Sequence, residues 1–496
     1  MAEPTLTELA ARLAPGLDRR RLLSGLVVGG GAAALLAACS GGSDAPSTTT
    51  AARASGSGFQ VPGTTAVPTT LAPPAGSGTA GSGPAFSLFS QSDLDFQTKL
   101  ILGGSGVNAA VGEVVTAVDQ ANGAAGGATY QSVYDAFVGM GNQLAADAVS
   151  SLNGGHRVSA RDRFLRAAAY YNNALFFVLG TAAPDAEQDV YATMDDQFTK
   201  AAQLMGEGWE QVSIPYEGST LPGWFLKAET GAGARPTIIL NNGSDGQNVD
   251  LWSYGGQAAV ERGYNALIFE GPGQGSQLFV KQVPFRYDWE KVITPVVDLL
   301  VTRPDVAKDK IGIIGWSMGG YMVSRAAAFE KRLAAVVADP GAVNLYDAFP
   351  DFLHQVAEAG SPEQVNQLWA ETVIPGSNSQ QAFSLKKRLE VYRRDALLQA
   401  RQGQIPTDWA TLSKTIQQFT LTQPIVQQIT APVLVTAYED EQFYPGQSQQ
   451  LVQWLTAPKT VVTLGANVGA QYHDAPMNPG YRNEVVFDWL DDTLKP

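Results

Sequence analysis

The segment Lys310-Ile311-Gly312-Ile313-Ile314-Gly315-Trp316-Ser317-Met318-Gly319-Gly320 constrains this chain more than any other. A short β-branched run enters Gly-x-Ser-x-Gly, and a helical pattern, Tyr321–Glu330, leaves it. Read as strand, turn and helix, this is a sharp elbow with a serine at its apex. Side chains at 315 and 319 would clash with the neighbouring helix and strand, so glycine occupies both. The elbow presents the Ser317 hydroxyl above a sheet, beside a helix N-terminus where developing negative charge is favoured. A Gly-rich turn of a nucleotide-binding sheet is the competing reading, but no phosphate loop with its lysine accompanies the motif. Gly271-Pro272-Gly273-Gln274-Gly275 likewise lacks a following Lys-Ser/Thr and reads as a tight turn bordering the site.

The flanking pattern extends the elbow into a layered α/β fold. Residues 211–216 and 221–226 flank Glu217-Gly218-Ser219-Thr220 and read as a hairpin. Apolar runs follow at Thr237–Leu240, Ala266–Phe269, Ile311–Ile314, Ala334–Ala338, Val433–Thr436 and Val461–Leu464. Candidate helices lie between them, at 253–262, 289–303, 318–329, 446–455 and 484–493. Such alternation predicts a mostly parallel, doubly wound sheet covered on both faces. The core is expected to comprise 210–341 and 431–496. Between them, 342–430 lacks a convincing buried strand and carries helical stretches such as Gln381–Gln402, as expected of a lid over the crevice. Residues 86–209 read as a helical region, with a capping arrangement at Ser159-Ala160-Arg161-Asp162. Tyr170, Tyr171, Phe176 and Phe177 there read as core, with pocket lining as the alternative.

A serine hydroxyl is a weak nucleophile and needs a base. The chain has three histidines. His473, in the loop Gln471-Tyr472-His473-Asp474-Ala475 after the last strand, is the candidate; His156 reads as a surface or capping residue and His354 as lid packing. The base needs an acid to fix its tautomer. Glu439, Asp440 and Glu441 compete after the Val433 strand. Glu441 lies two residues before Phe443 and four before Pro445, the spacing expected of such an acid, and Asp440 is the alternative. The oxyanion needs two preorganised N–H donors. One is expected from Met318. The other is expected from the loop Asn241-Asn242-Gly243-Ser244-Asp245-Gly246, with Ser244 first and Asp245 as alternative.

The N-terminus has a different character. Arg19-Arg20-Arg21 precedes the apolar stretch Leu22–Ala38, which ends in Leu36-Ala37-Ala38-Cys39. This layout predicts an export signal over 1–39, twin-arginine in type, with Cys39 as a lipidated first mature residue. Over residues 40–85, 39 of 46 positions are Gly, Ser, Thr, Pro or Ala, which cannot form a core and read as a flexible linker. Together these predict an exported, membrane-anchored lipoprotein of a bacterial cell envelope. The net charge of −14 disfavours nucleic acid as a partner, and a single cysteine excludes an intramolecular disulfide and a Cys-rich zinc site.

Several segments resemble one family: Ser159–Ala167, Ile214-Pro215-Tyr216-Glu217-Gly218, Gly271–Gly275, Phe285-Arg286-Tyr287-Asp288-Trp289-Glu290, Gly315–Gly320, Ala338-Asp339-Pro340-Gly341 and Glu441-Gln442-Phe443. They are similar to bacterial and fungal α/β-hydrolases with an N-terminal helical region, the group that includes 2,6-dihydroxypseudooxynicotine hydrolase and fungal hydrolases that shorten pigment polyketides. The order Ser317, Glu441, His473 is that of the α/β-hydrolase fold. The resemblance implies cleavage next to a carbonyl, of an ester or a β-diketone-type C–C bond, in a small organic substrate. No metal or organic cofactor is expected. For C–C cleavage a donor must protonate carbon, and lid tyrosines such as Tyr392 are candidates. The anchor and the glutamate acid depart from the family pattern. A catalytically silent ligand-binding lipoprotein on the same scaffold is the alternative.

Overall fold

The computed structural model describes residues 86–229 and 233–496. The expected export signal at 1–39, its Cys39 and the linker at 40–85 lie outside the described residues.

Eight strands form one sheet: β1 (Trp209–Tyr216), β2 (Ser219–Leu226), β3 (Arg235–Asn241), β4 (Asn265–Phe269), β5 (Val306–Trp316), β6 (Leu333–Asp339), β7 (Val433–Tyr438) and β8 (Lys459–Leu464). Their order is β1-β2-β4-β3-β5-β6-β7-β8. β1 and β2 pair antiparallel, β2 joins β4 antiparallel, and all later pairings are parallel. The expected four-residue hairpin connection is shorter, because Ser219 and Thr220 pair with Tyr216 and Pro215. Only Glu217 and Gly218 turn, with φ of 42° and 77°. Two successive positive φ values match the right-handed twist of the flanking strands.

β4, β6 and β7 are buried along nearly their whole length, as apolar runs sandwiched between helices must be. The chain steps from β3 to β4 on one side of the sheet, then crosses back to β5 on the other. The loops leaving β3 and β5 therefore diverge, and that opens a crevice at their carboxyl ends.

Among the described residues the N-terminal region holds five α-helices, Ser92–Gly103, Val111–Asn122, Tyr130–Asn153, Arg157–Phe177 and Glu187–Leu204. The fourth starts two residues before the expected cap at Ser159, with His156 at its N-cap. Gly154 and Gly155 end the preceding helix, Gly155 at φ 81°, and the chain re-enters a helix at once. From Phe164 onward this helix is buried on almost every face, Tyr170, Tyr171, Phe176 and Phe177 included.

The expected Gln381–Gln402 stretch is two helices, Ser379–Leu389 and Arg394–Arg401. The break has a tertiary cause: the carbonyl of Val391 accepts the Phe285 N–H of the core at 2.8 Å. Phe383 of the first helix stacks on Tyr130 with centroids 4.2 Å apart and packs near Phe176 and Phe177. Fully buried Glu187 accepts from Arg401 at 2.9 Å and lies 3.8 Å from Lys387 Nζ. N-terminal helices, inserted helices and sheet thus share one apolar core. The final helix, Pro479–Leu494, begins earlier than expected because Asn478 caps it and Pro479 fits its first position. Among the described residues no helix is long and apolar enough to cross a membrane.

Candidate active site

Ser317 follows β5 and caps the next helix, with φ 56° and ψ −125°. That conformation costs on the order of 1–3 kcal/mol, so the surroundings must impose it. They do so by close approach. A Cβ at residue 315 would lie 2.2 Å from the Gly319 carbonyl oxygen, and one at residue 320 would lie 1.9 Å from that of Pro340. The Ser317 N–H donates to the Asp339 carbonyl at 2.7 Å and faces Asp474 Oδ1 at 3.2 Å.

His473 Nε2 lies 2.9 Å from Ser317 Oγ. On its other side, Nδ1 lies 2.8 and 3.0 Å from the two Glu441 oxygens. Glu441 Oε1 also accepts the backbone N–H groups of Phe443 and Tyr444, at 2.8 and 3.1 Å. Burial works to raise the Glu441 pKa, but His473 and these two amides outweigh it and hold the carboxyl below its ordinary value. The ring of His473 lies against Phe443, centroids 4.6 Å apart, and the backbone N–H of His473 donates to Gln442 Oε1. Asp440 is exposed and its backbone N–H bonds the Gln471 carbonyl; the structure brings Glu441, not Asp440, to the histidine. His156 is on the surface, and His354 stacks on Tyr346 in the insertion.

The loop after β3 runs against the elbow. A Cβ on Gly243 would lie 2.7 Å from the Trp316 carbonyl oxygen and 2.9 Å from Ser317 Cβ. Gln274 braces this loop from the Gly271–Gly275 turn, donating to the Asn242 and Gly243 carbonyls at 2.8 and 3.3 Å. The Gly243 N–H turns back to Asn242 Oδ1. The Ser244 amide has no acceptor among the described residues, and Met318 opens its helix with no preceding turn to bond. Ser244, Asp245 and Met318 border the same cavity as Ser317 and His473.

Three separate regions wall that cavity. The first N-terminal helix supplies Phe96 and Leu100, the insertion supplies Phe349, Arg388 and Tyr392, and the core supplies the reactive groups. Arg388 pairs with Asp245. Burial pushes the Asp245 carboxyl up, but Arg388 and Lys387 outweigh it and the net shift is downward.

Asp474 carries no assignment from the sequence beyond its place beside His473, yet it faces both reacting groups. Its Oδ2 lies 3.5 Å from His473 Nε2. Burial and Asp339 raise its pKa against the opposing pull of His473 and Arg482. Burial lowers that of His473, but Asp474 and Glu441 raise it further, for a net upward shift. Asp474 (φ 61°) and Ala475 (φ 46°) both hold left-handed backbone, and no sequence signal reveals where this turn aims the carboxyl.

Among the described residues no group of three or more His, Cys, Asp or Glu side chains could hold a metal ion. The arrangement can pass a proton from a hydroxyl to an imidazole whose far nitrogen is fixed by a carboxylate, beside amides open to an oxyanion.

Residues 243–478 match the Alpha/beta hydrolase family. The Fusarium hydrolase LUC6 is 26% identical over 349 residues, 67% of this chain and 80% of its own. The Pyricularia oryzae hydrolase ORFZ is 29% identical over 381 residues, 70% of this chain and 84% of its own. The crystal structure of 2,6-dihydroxy-pseudo-oxynicotine hydrolase superposes with a TM-score of 0.56 at 22% identity, covering 80% of this chain and 95% of that one. These curated relatives are fungal, as are similar hydrolases of Penicillium citrinum and Aspergillus aculeatus. They overturn the expected assignment to a bacterial cell envelope. Sheet topology, matched segment and relatives make this chain an enzyme of α/β-hydrolase fold, similar over residues 243–478 to the Alpha/beta hydrolase family.

Proposed function

We propose that the chain is a serine hydrolase that cleaves an acyl bond next to a carbonyl, either a carboxylic ester or a β-diketone-type C–C bond. One observation carries the reading: Ser317 Oγ, His473 and Glu441 are joined by contacts of 2.9 and 2.8 Å across a cavity wall. Ser317 attacks the carbonyl carbon as His473 takes its proton. Glu441 keeps Nδ1 protonated and offsets the charge that forms on the ring. The amides of Met318 and Ser244 receive the oxyanion, and water then releases the acyl group. The relatives named as hydrolases support the reaction class.

A fluorophosphonate probe tests the assignment. Wild-type protein labels, and Ser317→Ala does not. Equal labelling of both, or labelling of neither, overturns the reading and leaves a binding protein on a hydrolase scaffold.

A further inference from the structure

The serine–histidine pair is not alone at the bottom of the cavity. The Asp474 carboxyl touches the reacting nitrogen through Oδ2 and the backbone of the nucleophile through Oδ1. Neither contact is needed by a hydroxyl, an imidazole and one orienting acid.

The charges around it are unbalanced. From β6, Asp339 projects with Oδ1 accepting from Thr436 and Tyr438, while its Oδ2 has no hydrogen-bond partner among the described residues. After β7 stands Glu441. From the last helix comes fully buried Arg482, which donates to the carbonyls of Asp474 and Tyr254 and lies 3.7 Å from Asp339 Oδ2. Tyr254, on the segment Trp252–Gly256, and Tyr438 face the same space as neutral phenols. Three buried carboxyls therefore surround one arginine and one histidine. Uncompensated buried charge is costly, and a proton retained on the Asp474–His473 pair relieves it. The two groups compete for that proton: placing it on Asp474 removes a charge that otherwise holds His473 protonated. The site can then contain a neutral base and a proton donor side by side.

We propose that Asp474 is a second proton carrier of the active site, donating to the carbon that departs when the acyl group of a β-diketone moves to Ser317. This rests on the serine-hydrolase reading above and names the donor that its C–C branch requires. An ester oxygen can leave on the His473 proton alone. A carbon leaving group is a stronger base and benefits from a dedicated acid.

The steps balance. Ser317 Oγ bonds to the acyl carbon while its proton passes to His473 Nε2. The acyl C–C bond breaks, and its electron pair goes to the leaving carbon as an enolate. The Asp474 proton goes to that carbon, and the ketone departs. The acyl-enzyme is left with an imidazolium facing a carboxylate, a favourable pair. Water then adds to the acyl carbon and gives a proton to Asp474, while the serine oxygen leaves with the imidazolium proton. One water is consumed and both carriers are restored.

The test compares Asp474→Asn with wild type on an aryl β-diketone and on a p-nitrophenyl ester, whose leaving group needs no proton. The variant is expected to lose diketone cleavage at least about 100-fold more than ester turnover. Equal losses on both substrates overturn the proposal and make Asp474 a support of the elbow. Wild-type turnover of esters but no diketone overturns it as well. Fluorophosphonate labelling of Ser317 is read in parallel; its absence from wild type sinks the underlying serine-hydrolase reading instead. A second measurement needs no variant. Wild-type diketone cleavage should fall at high pH, as the pair loses its last proton, while ester turnover holds. Parallel profiles for the two substrates overturn the proposal.

Discussion

Arg388 of the inserted helix reaches across the cavity to Asp245, 143 residues earlier, in the loop that follows β3. The pair couples the roof of the site to the loop bearing the Ser244 amide. Both partners are largely buried, so removing one leaves a charge without compensation. Arg388→Met and Asp245→Asn are each expected to lower the melting temperature and raise KM. A double-mutant cycle should return a coupling on the order of 1–3 kcal/mol, and additive effects would mean that the pair is not a functional link.

The proposed reacting groups predict a hierarchy. Ser317→Ala or His473→Ala should lower kcat by about 10⁴-fold or more, and Glu441→Gln somewhat less. Asp440→Asn should stay within about two-fold, because its side chain faces solvent. Steady-state kinetics on an activated ester reads all four. A crippled Asp440→Asn beside a mild Glu441→Gln would reassign the acid.

Gly243 gives a steric test of the oxyanion amides. Alanine there must push against the Trp316 carbonyl at 2.7 Å and Ser317 Cβ at 2.9 Å. The Ser244 amide then moves away from the nucleophile. Loss of one such donor is expected to lower kcat by about 10²–10³-fold. Circular dichroism should show the variant folded, and an unchanged kcat would remove this loop from the mechanism.

Glu270 predicts a pH effect on stability. It is buried beneath the Gly271–Gly275 turn, and burial together with Asp195 pushes its carboxyl up to about 7. Folded protein therefore keeps a proton that the unfolded chain releases near pH 4.5. Stability should fall as pH rises from that value through about 7, then level off, by on the order of 3 kcal/mol. Glu270→Gln retains most of the local hydrogen bonds and should flatten the dependence. Melting curves across that range check it; identical slopes for both proteins would assign the effect elsewhere.

The parallel strands were readable because each is a short β-branched run bounded by turn residues, and β3 to β8 fall where those runs lie. Ser317 and His473 were readable because a glycine elbow and a scarcity of histidines leave little choice. Two kinds of feature were hidden. The helix break at Leu389 depends on a hydrogen bond from Phe285, about a hundred residues away in sequence, which no local propensity encodes. The positions of Asp474 and Arg388 depend on how loops and helices from different segments meet. Their residue types are ordinary, and only the assembled cavity makes them neighbours of the nucleophile.

Phe96 and Leu100 on the first N-terminal helix, and Phe349 and Tyr392 on connecting segments of the insertion, shape the cavity from regions that carry none of the proposed proton-transfer groups. Selection can therefore recontour the space offered to a molecule by exchanging side chains in those regions, while the hydroxyl and imidazole stay where the sheet holds them. Lineages of such proteins are free to diversify in what they accept without reinventing how they react.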